Sequence, residues 1–133
     1  MGSIKLAIID DYPVFLHVLT DVLSSFSEFQ VVISTGSFKD YLQQLDDEDP
    51  DIILMDSSVF LSLRDQVREG FLNYISSKTL VIMGFEVPSE MNTYRRLHPN
   101  IQFLWKDSEL HFIVHKLTGQ IKEPDSFPWA DFE

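Results

Sequence analysis

Four ionisable residues stand where short apolar runs stop. IKLAII (residues 4–9) ends in the adjacent acids Asp10 and Asp11, IILM (52–55) in Asp56, and IQFLW (101–105) in Lys106. If these runs lie side by side, one small rim holds three carboxylates and an ammonium. Three carboxylates within ~5 Å of one another would repel by ~3 kcal/mol per pair at an effective dielectric of ~20. They must be partly protonated or share a cation. Ligands that are all oxygen favour a hard ion, and a site that keeps waters while holding a phosphoryl oxygen suits Mg²⁺ better than Ca²⁺. Lys106 adds a point charge for a phosphoryl oxygen, and an aspartate so placed can act as a nucleophile toward phosphorus. Together these residue types make a candidate phosphoryl-acceptor site.

The elements that must position them alternate along the chain. After the first strand, Pro13 suits the first turn of a helix, flanked by Asp11 or Tyr12. Val14, Val18, Val22 and Phe15, Leu19, Leu23 repeat every four residues, which predicts an apolar helix face through about Phe26. QVVIST (30–35) is a second strand. Gly36 and Ser37 then break the chain and cap a helix carrying Phe38, Tyr41, Leu42 and Leu45. The acidic loop DDEDPD (46–51) leads into the third strand. Val67, Phe71, Leu72 and Ile75 predict a helix within 62–77 despite Gly70. TLVIMG (79–84) is a fourth strand, PSEMNTYRRL a helix opened by Pro88, and 101–105 a fifth strand. The last helix, capped by Asp107 or Ser108, carries Leu110, Ile113, Val114 and Leu117. Five strands and five helices in strict alternation imply an α/β fold with a parallel sheet covered on both faces. Nearly all-apolar strands fit that burial. Ligands in such sheets bind beyond the carboxyl ends of the strands, where Asp10, Asp11, Asp56, Gly84 and Lys106 all stand.

IIDDYPVF, DPDIILMDSS and FLWKDS resemble the three signature segments of a response-regulator receiver domain of two-component signalling. The match runs from about Ile4 to Leu117. Its intervals are 45 residues from Asp11 to Asp56, 28 more to Gly84 and 22 more to Lys106. The Lys-Asp pair after the fifth strand is similar to that of NarL/FixJ-type bacterial regulators. The resemblance implies a flavodoxin-like (βα)₅ fold with a five-stranded parallel sheet in the order 2-1-3-4-5. It implies Asp56 as phosphoacceptor, with Asp10, Asp11, Asp56 and the backbone carbonyl of Ser58 as Mg²⁺ ligands. Lys106 would pair with the phosphoryl group, and Phe103 would occupy the aromatic switch position. The phosphoryl donor would be a histidine kinase, a phosphotransfer protein or a small acyl phosphate. Such a chain is a signalling module with self-catalysed phosphotransfer rather than a turnover enzyme, and the family also suggests a homodimer through the face around the last helix.

The sequence departs from the family at the switch. Members usually carry Ser or Thr at the end of the fourth strand, where the hydroxyl turns to the phosphoryl group and lets the aromatic swing inward; here Gly84 stands there. A hydrogen bond to a charged group contributes ~1.5 to 3 kcal/mol, so its loss would weaken the shift to the active state by ~10- to 100-fold unless a backbone N–H or water substitutes. Phe60 replaces the proline usual four residues after the acceptor, and FLSLR (60–64) replaces a loop of small residues. Gly84 also reads as relief of crowding where the backbone nears a ligand, and Phe103 equally as core packing. These departures keep a second reading open: a pseudo-receiver that serves as an interaction or dimerisation module without switching.

Composition narrows the rest. At 133 residues and 44% hydrophobic content the chain supports one core. A receiver domain is expected over 1–119 and an acidic, aromatic tail or linker over 120–133, where Phe127, Trp129 and Phe132 would cover an apolar patch. No output domain is expected within these residues, so the chain reads as a stand-alone receiver or as one from a longer regulator. A net charge of −11 argues against direct nucleic-acid binding by this chain itself, since phosphate contacts need a basic face. No apolar run reaches membrane-span length and the start lacks a secretory pattern. The absence of cysteine fits a reducing cytoplasm. His111 and His115 lie four apart without a third metal ligand, His17 and His98 have no partner legible in sequence, and Arg95 and Arg96 form a short basic spot.

Overall fold

The computed structural model describes residues 2–86 and 88–119; the expected tail, 120–133, lies outside them. Eleven elements follow in order: β1 (Ile4–Ile9), α1 (Pro13–Ser24), β2 (Phe29–Thr35), α2 (Phe38–Gln44), β3 (Ile52–Asp56), α3 (Ser57–Ser62), α4 (Asp65–Tyr74), β4 (Thr79–Gly84), α5 (Glu90–Leu97), β5 (Ile101–Trp105) and α6 (Leu110–Leu117). The strands form one parallel sheet in the order β2-β1-β3-β4-β5.

Alternation along the strands divides the core in two, because successive side chains point to opposite faces. Ala7, Ile9, Ile53, Met55, Leu80 and Ile82 pack with Tyr41, Phe60, Phe71 and Met91 beneath α2–α5. Leu6, Ile8, Leu54, Val81 and Met83 pack with Leu19, Leu23, Ile113 and Leu117 beneath α1 and α6. The sheet is therefore buried on both sides, as its apolar strands predict.

Four local expectations are corrected. The segment after β3 is two helices rather than one: Asp56 accepts from the Ser58 amide and caps α3 directly, and Leu63 and Arg64 are extended before α4 begins. The carbonyls of Phe60, Leu61 and Leu63 around that break accept hydrogen bonds from the Arg68 guanidinium. In α1 the Phe15–Leu19–Leu23 row packs inward together with Leu16, whereas Val14 and Val18 are exposed. The last helix is capped at Glu109 rather than at Asp107 or Ser108, because residues 106 and 107 form a turn closed by the Ser108 amide on the Trp105 carbonyl. Pro88 lies before α5 rather than inside it, its carbonyl accepting from the Met91 amide. Tyr12 and Ser37 flank α1 and α2 as expected, and the Ser37 hydroxyl accepts from the Asp40 amide.

Candidate functional site

The parallel strands bring Asp10, Asp56 and Lys106 together at their carboxyl ends. Asp10 follows β1 and is fully buried; its Oδ1 accepts from the Tyr12 amide at 2.9 Å and its Oδ2 lies 2.7 Å from Lys106 Nζ. Asp56 ends β3, and its Oδ1 lies 2.6 Å from the same ammonium. Its Oδ2 accepts from both the amide and the hydroxyl of Ser58. Lys106 is anchored through its own amide to the Gly84 carbonyl, 2.9 Å away. With 4% of its side chain exposed, it is a buried cation shared between two buried acids.

Such a triad survives burial only through mutual neutralisation. Burial pushes the Asp10 carboxyl above its ordinary range, and the Lys106 and Tyr12 contacts offset this only in part. Burial acts the same way on Asp56, but Lys106 and Ser58 outweigh it and hold that carboxyl below the ordinary range. Burial would lower Lys106, yet Asp10 and Asp56 keep it above its ordinary value. Asp56 is thus the readily ionised member of the acid pair.

Asp11 is exposed at the mouth, and one carboxylate oxygen from each of Asp10, Asp11 and Asp56 lies within 4.8 Å of the others. Three carboxylates against one ammonium leave two negative charges when all are ionised. That surplus, carried on hard oxygen donors beside solvent, fits a partly hydrated divalent ion of the Mg²⁺ type. Ser58 addresses Asp56 with its amide and hydroxyl, while its carbonyl belongs to the first turn of α3, where helical carbonyls point toward the C-terminal end.

Gly84 closes the back of the site. A Cβ there would lie 2.8 Å from the Glu86 carbonyl oxygen, 3.1 Å from Ser57 Oγ and 3.4 Å from Phe103 Cζ. Phe103 is buried, its ring 5.3 Å from that of Trp105. The glycine therefore answers a close approach of the backbone, and the Phe103 ring already lies inward against it.

Two site residues were not legible in the sequence. Phe15 and Phe85 bracket Lys106, whose Nζ lies 4.6 Å and 5.7 Å from the two ring centroids, and the rings meet edge to face at 6.3 Å. Both rings offer a negative face to the cation. Phe15 reads in sequence as part of the α1 core row, and nothing in the residues around Phe85 announces its role.

No protein-family model matches the chain, and no curated protein is detectably similar to it. Solved structures are similar in fold. The signal receiver domain of NarL from Mycobacterium tuberculosis superposes with a TM-score of 0.70 at 20% identity, over 90% of this chain and 96% of that one. The RcsB response regulator of Salmonella typhimurium gives 0.73 at 16% identity, over 95% of this chain and 64% of that one. A chain from the complex of the CheA3 P1 domain with CheY6 of R. sphaeroides gives 0.70 at 17% identity, over 90% and 98%. The chain has the flavodoxin-like fold of response-regulator receiver domains.

Proposed function

We propose that the chain is a two-component receiver that accepts a phosphoryl group on Asp56 in the presence of Mg²⁺. The observation that carries this reading is the buried Asp10–Lys106–Asp56 triad with Asp11 at its mouth. An Asp56 carboxylate oxygen attacks phosphorus and forms the new O–P bond. The bond from phosphorus to the donor atom breaks, and the departing histidine or carboxylate keeps its electron pair. Lys106, already within reach of Asp56, pairs with the transferred oxygens. Bound Mg²⁺ would be held by Asp10, Asp11 and Asp56 and would supply charge neutralisation between carboxylate and phosphoryl oxygens. A role for the Ser58 carbonyl as a further ligand requires the first turn of α3 to open.

The donor class is a histidine kinase, a phosphotransfer protein or a small acyl phosphate. The structural neighbour bound to a P1 domain supports a protein donor. The output is a change in partner binding, homodimerisation among the options, rather than turnover of a substrate.

A second reading is favoured by Gly84 and Phe103. A side chain at position 84 is sterically opposed and the aromatic ring is already inward, so little travel remains for the usual switch. On this reading the chain is a non-switching interaction module. No helix among the described residues is long and apolar enough to cross a membrane. The receiver reading, with its histidine-kinase or phosphotransfer donor, is what implies a cytoplasmic protein.

The test is intrinsic fluorescence of Trp105, adjacent to Lys106, in a Trp129→Phe background during Mg²⁺ titration and then beryllofluoride addition. The reading predicts saturable Mg²⁺ binding and a beryllofluoride response that disappears in Asp56→Asn. Silence toward both ligands in fluorescence and calorimetry would leave the interaction-module reading in its place.

A further inference from the structure

A second concave feature lies away from the acidic rim, between α2 and α4. Phe38, Leu42 and Leu45 on one side and Val67, Phe71 and Tyr74 on the other enclose a groove of about 390 Å³. The spacing of Phe38, Leu42 and Leu45 follows one helix face over two turns. Leu42 and Tyr74 are about half-exposed, so the groove is open to solvent along its rim. Such a shape suits a chain laid along it better than an enclosed small molecule.

Gly70 gives the groove its meaning. It lies within α4 and lines the groove, although a mid-helix glycine weakens a helix relative to alanine. A Cβ at this position would meet nothing within 4 Å. The packing of this chain therefore does not call for the glycine, whereas an occupant approaching the α4 backbone closely would. The charged residue lining the groove is Asp46, and the chain continues from it into Asp47 and Glu48. Among the described residues, no cation forms an ion pair with these three acids.

We infer that the α2–α4 groove is a docking site for a cationic amphipathic helix of a partner protein. Its apolar stripe lies along Phe38, Leu42, Val67 and Phe71 over Gly70, and its Lys or Arg residues meet Asp46–Glu48. Acidic complementarity selects this occupant over the chain's own tail, whose sequence is itself acidic. The inference stands independently of phosphoryl acceptance at Asp56.

The test is fluorescence anisotropy with a labelled helix-forming peptide of leucine and lysine, all leucines on one face. A scrambled peptide of the same composition is the control. Gly70→Leu fills the groove while replacing a weak helix former with a strong one, so circular dichroism and thermal unfolding should show the fold retained. The inference predicts saturable binding weakened about tenfold or more by Gly70→Leu. It also predicts that Asp46→Lys weakens binding and flattens its salt dependence. Absence of binding, equal binding of the scrambled peptide, or indifference to Gly70→Leu would overturn it. So would self-association in sedimentation that Gly70→Leu abolishes, because the occupant would then be a second copy of the chain.

Discussion

At the scale of single residues, the site is set by where charges are forced to share space. Asp10, Asp56 and Lys106 were legible because each follows an apolar strand, and parallel strands bring such ends to one rim. Crowding at Gly84 was one reading of the sequence, but its source, the Glu86 carbonyl folding back rather than a ligand, was not legible. Restoring a hydroxyl there has a definite cost: Gly84→Ser should lower stability by about 1–3 kcal/mol through overpacking, measured as a shift of the urea midpoint. Unchanged stability would mean that the 84–86 turn yields freely. Tyr41 offers the opposite case. Its ring packs against Phe38 and Phe71, its hydroxyl is buried without a hydrogen-bond partner, and burial pushes that group above its ordinary range. Tyr41→Phe removes the unsatisfied oxygen and keeps the ring, so it should be neutral or stabilising by up to about 1 kcal/mol in the same assay. A clear loss would reveal a partner for that hydroxyl.

Among the elements, the alternation of strands and helices was readable from apolar runs and turn residues, but α3 was hidden. Its cap is the candidate phosphoacceptor itself, and a six-residue helix is too short to display a period. What fixes the break after it is Arg68, one of the few buried charged residues in the described chain. The guanidinium donates to three carbonyls at the end of α3 and to the Tyr94 hydroxyl on α5, and its carbon lies 5.6 Å and 5.4 Å from the ring centroids of Phe60 and Tyr94, which pack edge to face on one another. From sequence Arg68 is one more polar residue on α4. Arg68→Ala should destabilise the protein by about 3 kcal/mol, since several charge-assisted bonds are lost and carbonyls are left unpaired. Hydrogen exchange should show α3 opening before the sheet. Uniform loss of protection across the sheet would contradict the assignment of Arg68 to this corner.

For the molecule as a whole, the buried triad links stability to pH from both sides. Asp56 is held below its ordinary range, so its contribution is present above the unfolded-state value and is lost as pH falls through the folded one. Lys106 is held above its ordinary value, so its contribution is present below that value and is lost as pH rises through the folded one. Asp10, pushed upward by burial, opposes Asp56, its contribution fading as pH rises through its folded value. Urea unfolding should therefore show wild type losing stability relative to Asp56→Asn as pH drops below the carboxylate range. Parallel pH profiles for the two proteins would refute this linkage. The layered sheet was legible because its strands are nearly all apolar, whereas its order 2-1-3-4-5 was implied only by the resemblance to receiver domains. The α2–α4 groove was not, because it depends on how two helices sit against one another.

The most direct measurement is intact mass after incubation with acetyl phosphate and Mg²⁺, for wild type, Asp56→Asn and Lys106→Ala. The account predicts that wild type gains one phosphoryl group, that Asp56→Asn gains none, and that chelating the metal prevents the gain. It also predicts slower gain in Lys106→Ala, because the cation that meets the transferred oxygens is gone. Equal incorporation in wild type and Asp56→Asn, or none in wild type with Mg²⁺ binding confirmed by calorimetry, would contradict the claim that this rim is a phosphoacceptor.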